Sequence, residues 1–317
     1  MSLLQKNLLK GKIGHTPNAL IISDNQNNEN NENNEILEEI LEEILDEEEE
    51  EGKSGISTMS TTTLNHNVPL FIMHHGAGSS GLSFALCSSH IKRLMDNKCT
   101  IFSYDCRDDN DLSLERLSQD LVDVLKAAFD DEVVKKRCVV SHVASKRLVP
   151  SMTCLAVIDV VEGSALEALK GMLPFLRNRS TEFKSIEDAI EWSINSGTVH
   201  NPESARISTF PLLIEKIENK ESTHDEGVNK YVWRTDLVTT QKYWEEWFTG
   251  LSEKFLSARA AKLLILAGTD RLDKPLTIAQ MQESGHMIQE DAPEKTASTL
   301  TDFWKRNEKL ILPVKKL

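Results

Sequence analysis

Five short apolar runs, separated by stretches of helical periodicity, restrict this chain more than any other feature. They lie at residues 69–73 (PLFIM), 99–105 (CTIFSYD), 137–141 (RCVVS), 154–161 (CLAVIDVV) and 261–268 (AKLLILAG). Runs with so few polar positions read as buried strands. The stretch 112–129 supplies a helix, with Leu114, Leu117, Leu121, Leu125 and Phe129 on one face. Residues 292–306 form an amphipathic closing helix, with Phe303 and Trp304 expected to face the sheet. Strands alternating with helices imply the α/β class: a mostly parallel sheet with helices on both faces.

Composition sets the limits of that unit. At 317 residues and 39% hydrophobic content, the chain can bury one sizeable core, so one α/β domain at 68–310 preceded by a tail fits better than two domains. Of the 50 acidic residues, 14 lie between Asp24 and Glu51, where there is no Lys or Arg; the remaining 36 balance the 36 basic residues. The net charge of −14 is therefore a property of one segment, and it argues against a nucleic-acid partner. Asn/Glu-rich low complexity at 24–35 leads to the expectation of a disordered acidic tail and linker over 1–67. Within it Ile36, Leu37, Ile40, Leu41, Ile44 and Leu45 outline a short amphipathic helix, either solvated or docked.

Five cysteines without a CxxC pair, and a start without a hydrophobic signal region, predict a reducing intracellular location, cytoplasmic or nuclear. No run reaches the roughly 18 apolar residues of a bilayer span, so no membrane association is expected. The 9 histidines and 5 cysteines show no metal-ligand spacing, and no cofactor is expected. Residues 162–259 form a long, mainly helical excursion between strands, as a cap does. Its aromatics (Trp192, Trp233, Tyr243, Trp244 and Trp247 among them) fit either a core or a ligand cage.

In an open parallel sheet, ligands sit at the carboxyl ends of the strands, so the loops there are the candidates for chemistry. Three stand out. The run 69–73 opens into His74-His75-Gly76-Ala77-Gly78-Ser79-Ser80, where glycines permit tight turns and the backbone amides can stabilise an oxyanion. Asp159 lies near the end of its apolar run, and a buried carboxylate there needs a partner; orienting a histidine would satisfy it, and so would capping a helix. His286 follows Gly285 in a turn leading to an acidic, Pro-containing helix start, and histidine exchanges protons near neutrality.

The segments VPLFIMHHGAGSSGLSFA, LAVIDVVEGSALEAL, FKSIEDAIEWSINSG, YWEEWFTGLSEKFLS, KLLILAGTDRLDK and SGHMIQEDAPEKTA resemble, in order, those of the protein phosphatase methylesterases, a family of the α/β-hydrolase fold. The resemblance spans about Val68 to Asn307. It implies a serine esterase that removes the methyl ester from the C-terminal leucine of the phosphatase 2A catalytic subunit. By that resemblance Asp159 is the triad acid, His286 the base, and Gly76 and Ala77 belong to the oxyanion loop. Asp270 occupies the place where many other hydrolases of this fold carry the acid, and is the alternative.

One departure matters. Hydrolases of this fold place the nucleophile in a G-x-S-x-G turn between strand and helix, and this chain has no such pattern. Only residues 143–153 separate two of the strands, whereas a parallel crossover with its helix takes at least about 10 to 12 residues, which leaves no room for an elbow as well. Two further shortenings are expected, after Cys106 and at 282–286, the latter reaching His286 without a preceding strand. Ser141 and Ser145 are the available substitutes for the nucleophile, and both also read as structural serines. Two functions follow: a methylesterase, or a catalytically dead, shortened phosphatase-binding homologue. A hydrolase of other specificity is a third, since fold does not fix substrate.

Overall fold

The computed structural model describes residues 19–22, 68–107, 111–129, 137–141, 152–217, 229–267, 280–281 and 286–308; for 19–22, 137–141, 152, 217, 229 and 280–281 it describes the backbone only. Seven strands form the main sheet, in the order β1 (Ala19–Ile22), β3 (Thr100–Tyr104), β2 (Leu70–His74), β4 (Arg137–Ser141), β5 (Met152–Ile158), β9 (Ala261–Ala267) and β10 (Gln280–Met281). All neighbours pair in parallel except β1 with β3. The expected mostly parallel sheet is present.

Side chains alternate between two cores, as the period-2 geometry of a strand requires. Phe71 and Met73 of β2, Cys154, Ala156 and Ile158 of β5, and Ile265 of β9 pack on one face. There they meet Cys87 and Ile91 of α1 (Ala85–Leu94) and Leu300, Phe303 and Trp304 of α9 (Pro293–Asn307). Trp304 reaches the sheet by a ring contact to Phe71 at 6.0 Å. Leu70, Ile72, Phe102, Leu155, Val157 and Leu264 pack on the other face, against Leu121 and Leu125 of α2 (Leu114–Ala128) and Leu251 and Phe255 of α7 (Leu251–Ser257). Ser113 caps α2, its side chain accepting from the Arg116 amide.

The structure departs from two expectations and adds to a third. Within 1–67, residues Ala19–Ile22 form β1, an antiparallel edge strand registered on Tyr104 to Ile101. Its apolar run ALII sits in a mixed, basic stretch and is too short for periodicity to single out. The cap between α3 (Glu162–Arg177) and β9 is not only helical: β6 (Glu182–Phe183), β8 (Asn229–Trp233) and β7 (Leu213–Ile217) form a second, antiparallel sheet beside α4 (Ile186–Asn195), α5 (Pro202–Thr209) and α6 (Gln241–Phe248). Finally, the chain reaches His286 past a strand, since β10 pairs with Leu266 and Ala267 of β9. The sequence at 36–45, Ser145 and Asp270 lies outside the described residues.

Candidate active site

Asp159 follows directly on β5, and its position is fixed from two directions. Its N–H donates to Ile265 O at 2.7 Å, and its Oδ1 accepts from the Ala267 amide at 2.9 Å. Its φ of 49° lies in the left-handed region, one that Asp tolerates better than most side chains. The resulting bend carries the carboxylate across the end of β9 to His286, whose Nδ1 lies 2.6 Å from Oδ2. A carboxylate only accepts, so Nδ1 carries the shared proton. The Asp159 side chain is fully buried while that of His286 is 56% exposed. Burial of the carboxylate is offset by its hydrogen bonds to the Ala267 amide and to His286, and the exposed imidazole is reachable.

The loop after β2 is braced from behind. His75 Nδ1 donates to Gly76 O at 2.8 Å and its Nε2 accepts from the Cys106 amide at 2.8 Å, which fixes the tautomer. Burial pushes its pKa down, against the raising influence of Asp105, so the ring stays neutral. His74 lies 2.7 Å from the Tyr104 hydroxyl through Nδ1. Gly78 adopts φ 73°, and a Cβ there would come within 2.6 Å of Leu237 of the cap. Beyond the loop, the Gly81 amide donates to Asp105 Oδ1 at 2.7 Å, and Asp105 Oδ2 pairs with Arg234 of the cap at 3.0 Å. Asp105 ends β3 as Asp159 ends β5, and that parallel was the signal for it in the sequence.

A cleft opens beside this loop, lined by His75, Gly76, Ala77, Leu117, Leu237 and Trp247 among others. Asp159 and His286 are not among its lining residues, so the cleft extends from the loop at 74–80 toward the cap rather than over the Asp159–His286 pair. The cap aromatics divide in two groups. Trp244 and Trp247 are core: their indole N–H groups donate to Thr240 Oγ1 and Leu112 O, both at 2.7 Å. Phe183, Trp192 and Trp233 form a cage that the chain fills itself, with the Arg179 guanidinium 3.4 Å from the centroid of the Trp233 ring. Burial lowers the Arg179 pKa to about 10.

Ser141 ends β4 between His74 of β2 and Val157 of β5 in register, with only its backbone described. It is thus at the strand end next to the loop at 74–80. Among the described residues there is no cluster of His, Cys, Asp and Glu that could hold a metal, and no helix long and apolar enough to cross a membrane.

Similarity to known proteins gives the family. The model of the alpha/beta hydrolase family matches residues 71–299. Among solved structures, E-2-(acetamidomethylene)succinate hydrolase superposes with a TM-score of 0.57 at 13% identity, covering 75% of this chain and 92% of its own. A thioesterase domain from the curacin biosynthetic pathway gives 0.51 at 14% identity, covering 75% and 92%. Both share the fold. Relatives by sequence include "Protein phosphatase methylesterase 1" of Aspergillus oryzae, 44% identical, and that of Schizosaccharomyces pombe, 42% identical, each match taking in 78% of this chain. The chain spans 66% of the length of the former and 77% of the latter. The A. oryzae match runs over 286 positions, whereas 78% of 317 residues is about 247, so the relative has positions with no counterpart here. With this fold and this level of identity, the chain belongs to the α/β-hydrolase family and, within it, to the protein phosphatase methylesterases.

Proposed function

We propose that this is the site of a serine-type methylesterase that acts on the methylated C-terminal leucine of the phosphatase 2A catalytic subunit. The observation that carries it is the 2.6 Å contact of His286 Nδ1 with the buried Asp159 carboxylate at the edge of the sheet that also bears the braced loop at 74–80. In the reaction a serine hydroxyl loses its proton to His286 Nε2 as its oxygen bonds to the ester carbonyl. The oxyanion is taken up by backbone amides of the Gly76–Ala77 loop. Collapse expels methanol, protonated by His286, and water then releases the acid from the acyl-enzyme by the same base. Asp159 holds the imidazole in the required tautomer.

A second reading has its own observation. Residues 142–151 are all that joins β4 to β5, with no G-x-S-x-G among them, which favours a phosphatase-binding homologue without turnover. Incubation of the chain with methylated phosphatase separates the two. Demethylation that falls about 10²- to 10⁴-fold in His286→Ala supports the esterase. Co-precipitation with no demethylation by either form supports the binding protein, and absence of both overturns both readings.

A further inference from the structure

The loop at 74–80 is fastened at both of its ends to the end of β3. At the near end His75 Nε2 accepts from the Cys106 amide at 2.8 Å. At the far end Gly81 is held on both sides of its backbone: its carbonyl accepts from Ser103 Oγ at 2.8 Å, and its amide donates to Asp105 Oδ1 at 2.7 Å. The approach is so close that a Cβ on Gly81 would lie 2.9 Å from Ser103 Oγ and 3.1 Å from the Tyr104 nitrogen. Asp105 reaches the cap as well. Its Oδ2 accepts at 3.0 Å from Nη1 of Arg234, the residue after β8, whose own amide donates to Leu212 O at 2.7 Å. Three residues further on, Leu237 meets the loop at Gly78. Loop and cap face each other across the cleft, with Gly76 and Ala77 on one side and Arg234 and Leu237 on the other.

We propose that Asp105 is a positioning residue for the loop at 74–80: its carboxylate ties the loop on one oxygen and the cap on the other, and so sets the width of the cleft between them.

The carboxylate is largely withdrawn from water, its side chain 12% exposed against 22% for Arg234. Its two bonds do different things. The Gly81 amide is neutral, so the guanidinium is the group that offsets the charge, and removing one partner of such a pair leaves a buried charge that is costly to keep. Without Arg234 the carboxylate gains by turning toward water in the cleft. That movement withdraws the acceptor from the Gly81 amide and leaves a buried donor unmet. The far anchor of the loop is then reduced to Ser103, and the shift is passed inward, because Ser79 N donates to Gly76 O at 3.2 Å across the turn. Both charges also act at the near anchor: burial pushes the pKa of His75 down, Asp105 raises it and Arg234 lowers it.

The use of this loop for an oxyanion rests on the esterase reading, but its placement by Asp105 is tested without turnover. Amide resonances of isotope-labelled full-length chain report the loop. Arg234→Leu is expected to shift the signals of Gly76, Ala77 and Gly81 while leaving those of Phe71 and Ile72 in β2 unmoved. Exchange of the Gly81 amide with solvent should become about tenfold faster, as the loss of one hydrogen bond gives. Arg234→Lys keeps a charged donor for Oδ2 and should restore the signals. Loop signals that stay in place in Arg234→Leu while those of the cap move, or that shift as far in Arg234→Lys, overturn the proposal. Should Arg234→Leu fail to fold, Asp105→Asn decides. Its Oδ1 can still accept from Gly81, but a neutral amide offers Arg234 no charge; shifted loop signals support the joint and unchanged ones refute it. Failure of the esterase reading would show instead as absent demethylation with the loop signals behaving as stated.

Discussion

Asp159 and His286 meet through groups that each have fixed backbone neighbours, whereas one strand away, at the end of β4, the chain has only residues 142–151 in which to return to β5. The difference lies in what fixes each position. Asp159 is held by strand register: its amide bonds to Ile265 and its carboxylate to the Ala267 amide, so pairing of β5 with β9 places it. His286 stands just before the short helix α8 (Ile288–Asp291). A nucleophile in this fold depends on a turn between strand and helix. Strand register does not depend on the length of a crossover, whereas a nucleophile turn needs residues of its own between strand and helix.

The largest effect should come from supplying that turn. Replacing 142–151 by a crossover with a G-x-S-x-G turn and a full helix should raise turnover on a methylated C-terminal peptide by on the order of 10⁶-fold, the loss found when a working triad loses its serine. No gain, with the sheet intact by circular dichroism, would place a second fault at the acid–base edge. In that restored chain Asp159→Asn comes next. Asn can still accept from the Ala267 amide, but its NH₂ favours the wrong imidazole tautomer, and kcat should fall about 10⁴-fold with little change in the melting temperature. Equal loss of stability would mean that the carboxylate serves the β5–β9 junction more than the histidine.

Much of this edge was legible in the sequence. The strand runs, the helix with Leu121 and Leu125 inward, and Trp304 against the sheet follow from periodicity, because burial on both faces leaves a strong pattern. Asp159 was visible as a charge at the end of an apolar run, but whether it orients a histidine or caps a helix was decided by a contact 127 residues away, which no local pattern encodes. The edge strands β1 and β10 have four and two residues, too few for a period to register. The antiparallel sheet in the cap was hidden for a different reason: its strands carry charged residues such as Glu215 and Lys230, as half-exposed strands do. Arg179 within its aromatic cage required the fold to bring Trp192 and Trp233 together.

The smallest effect is expected at the loop between the two edges. Gly78→Ala places a Cβ on a left-handed backbone, at about 1–2 kcal/mol, and 2.6 Å from Leu237 Cδ1. The leucine end can rotate away, so the contact is the softer part of the penalty and the backbone the harder. For a domain of this size the melting temperature should drop by about 2–8 °C. Pairing the change with Leu237→Ala separates the parts, since a cycle isolates the coupling of residues in contact. The double variant should recover the contact and keep the backbone penalty, ending less stable than Leu237→Ala alone. Full recovery would mean that the loop relaxes out of φ 73° once the cap lets go, and that Leu237, not the glycine, holds the loop at 74–80 in shape.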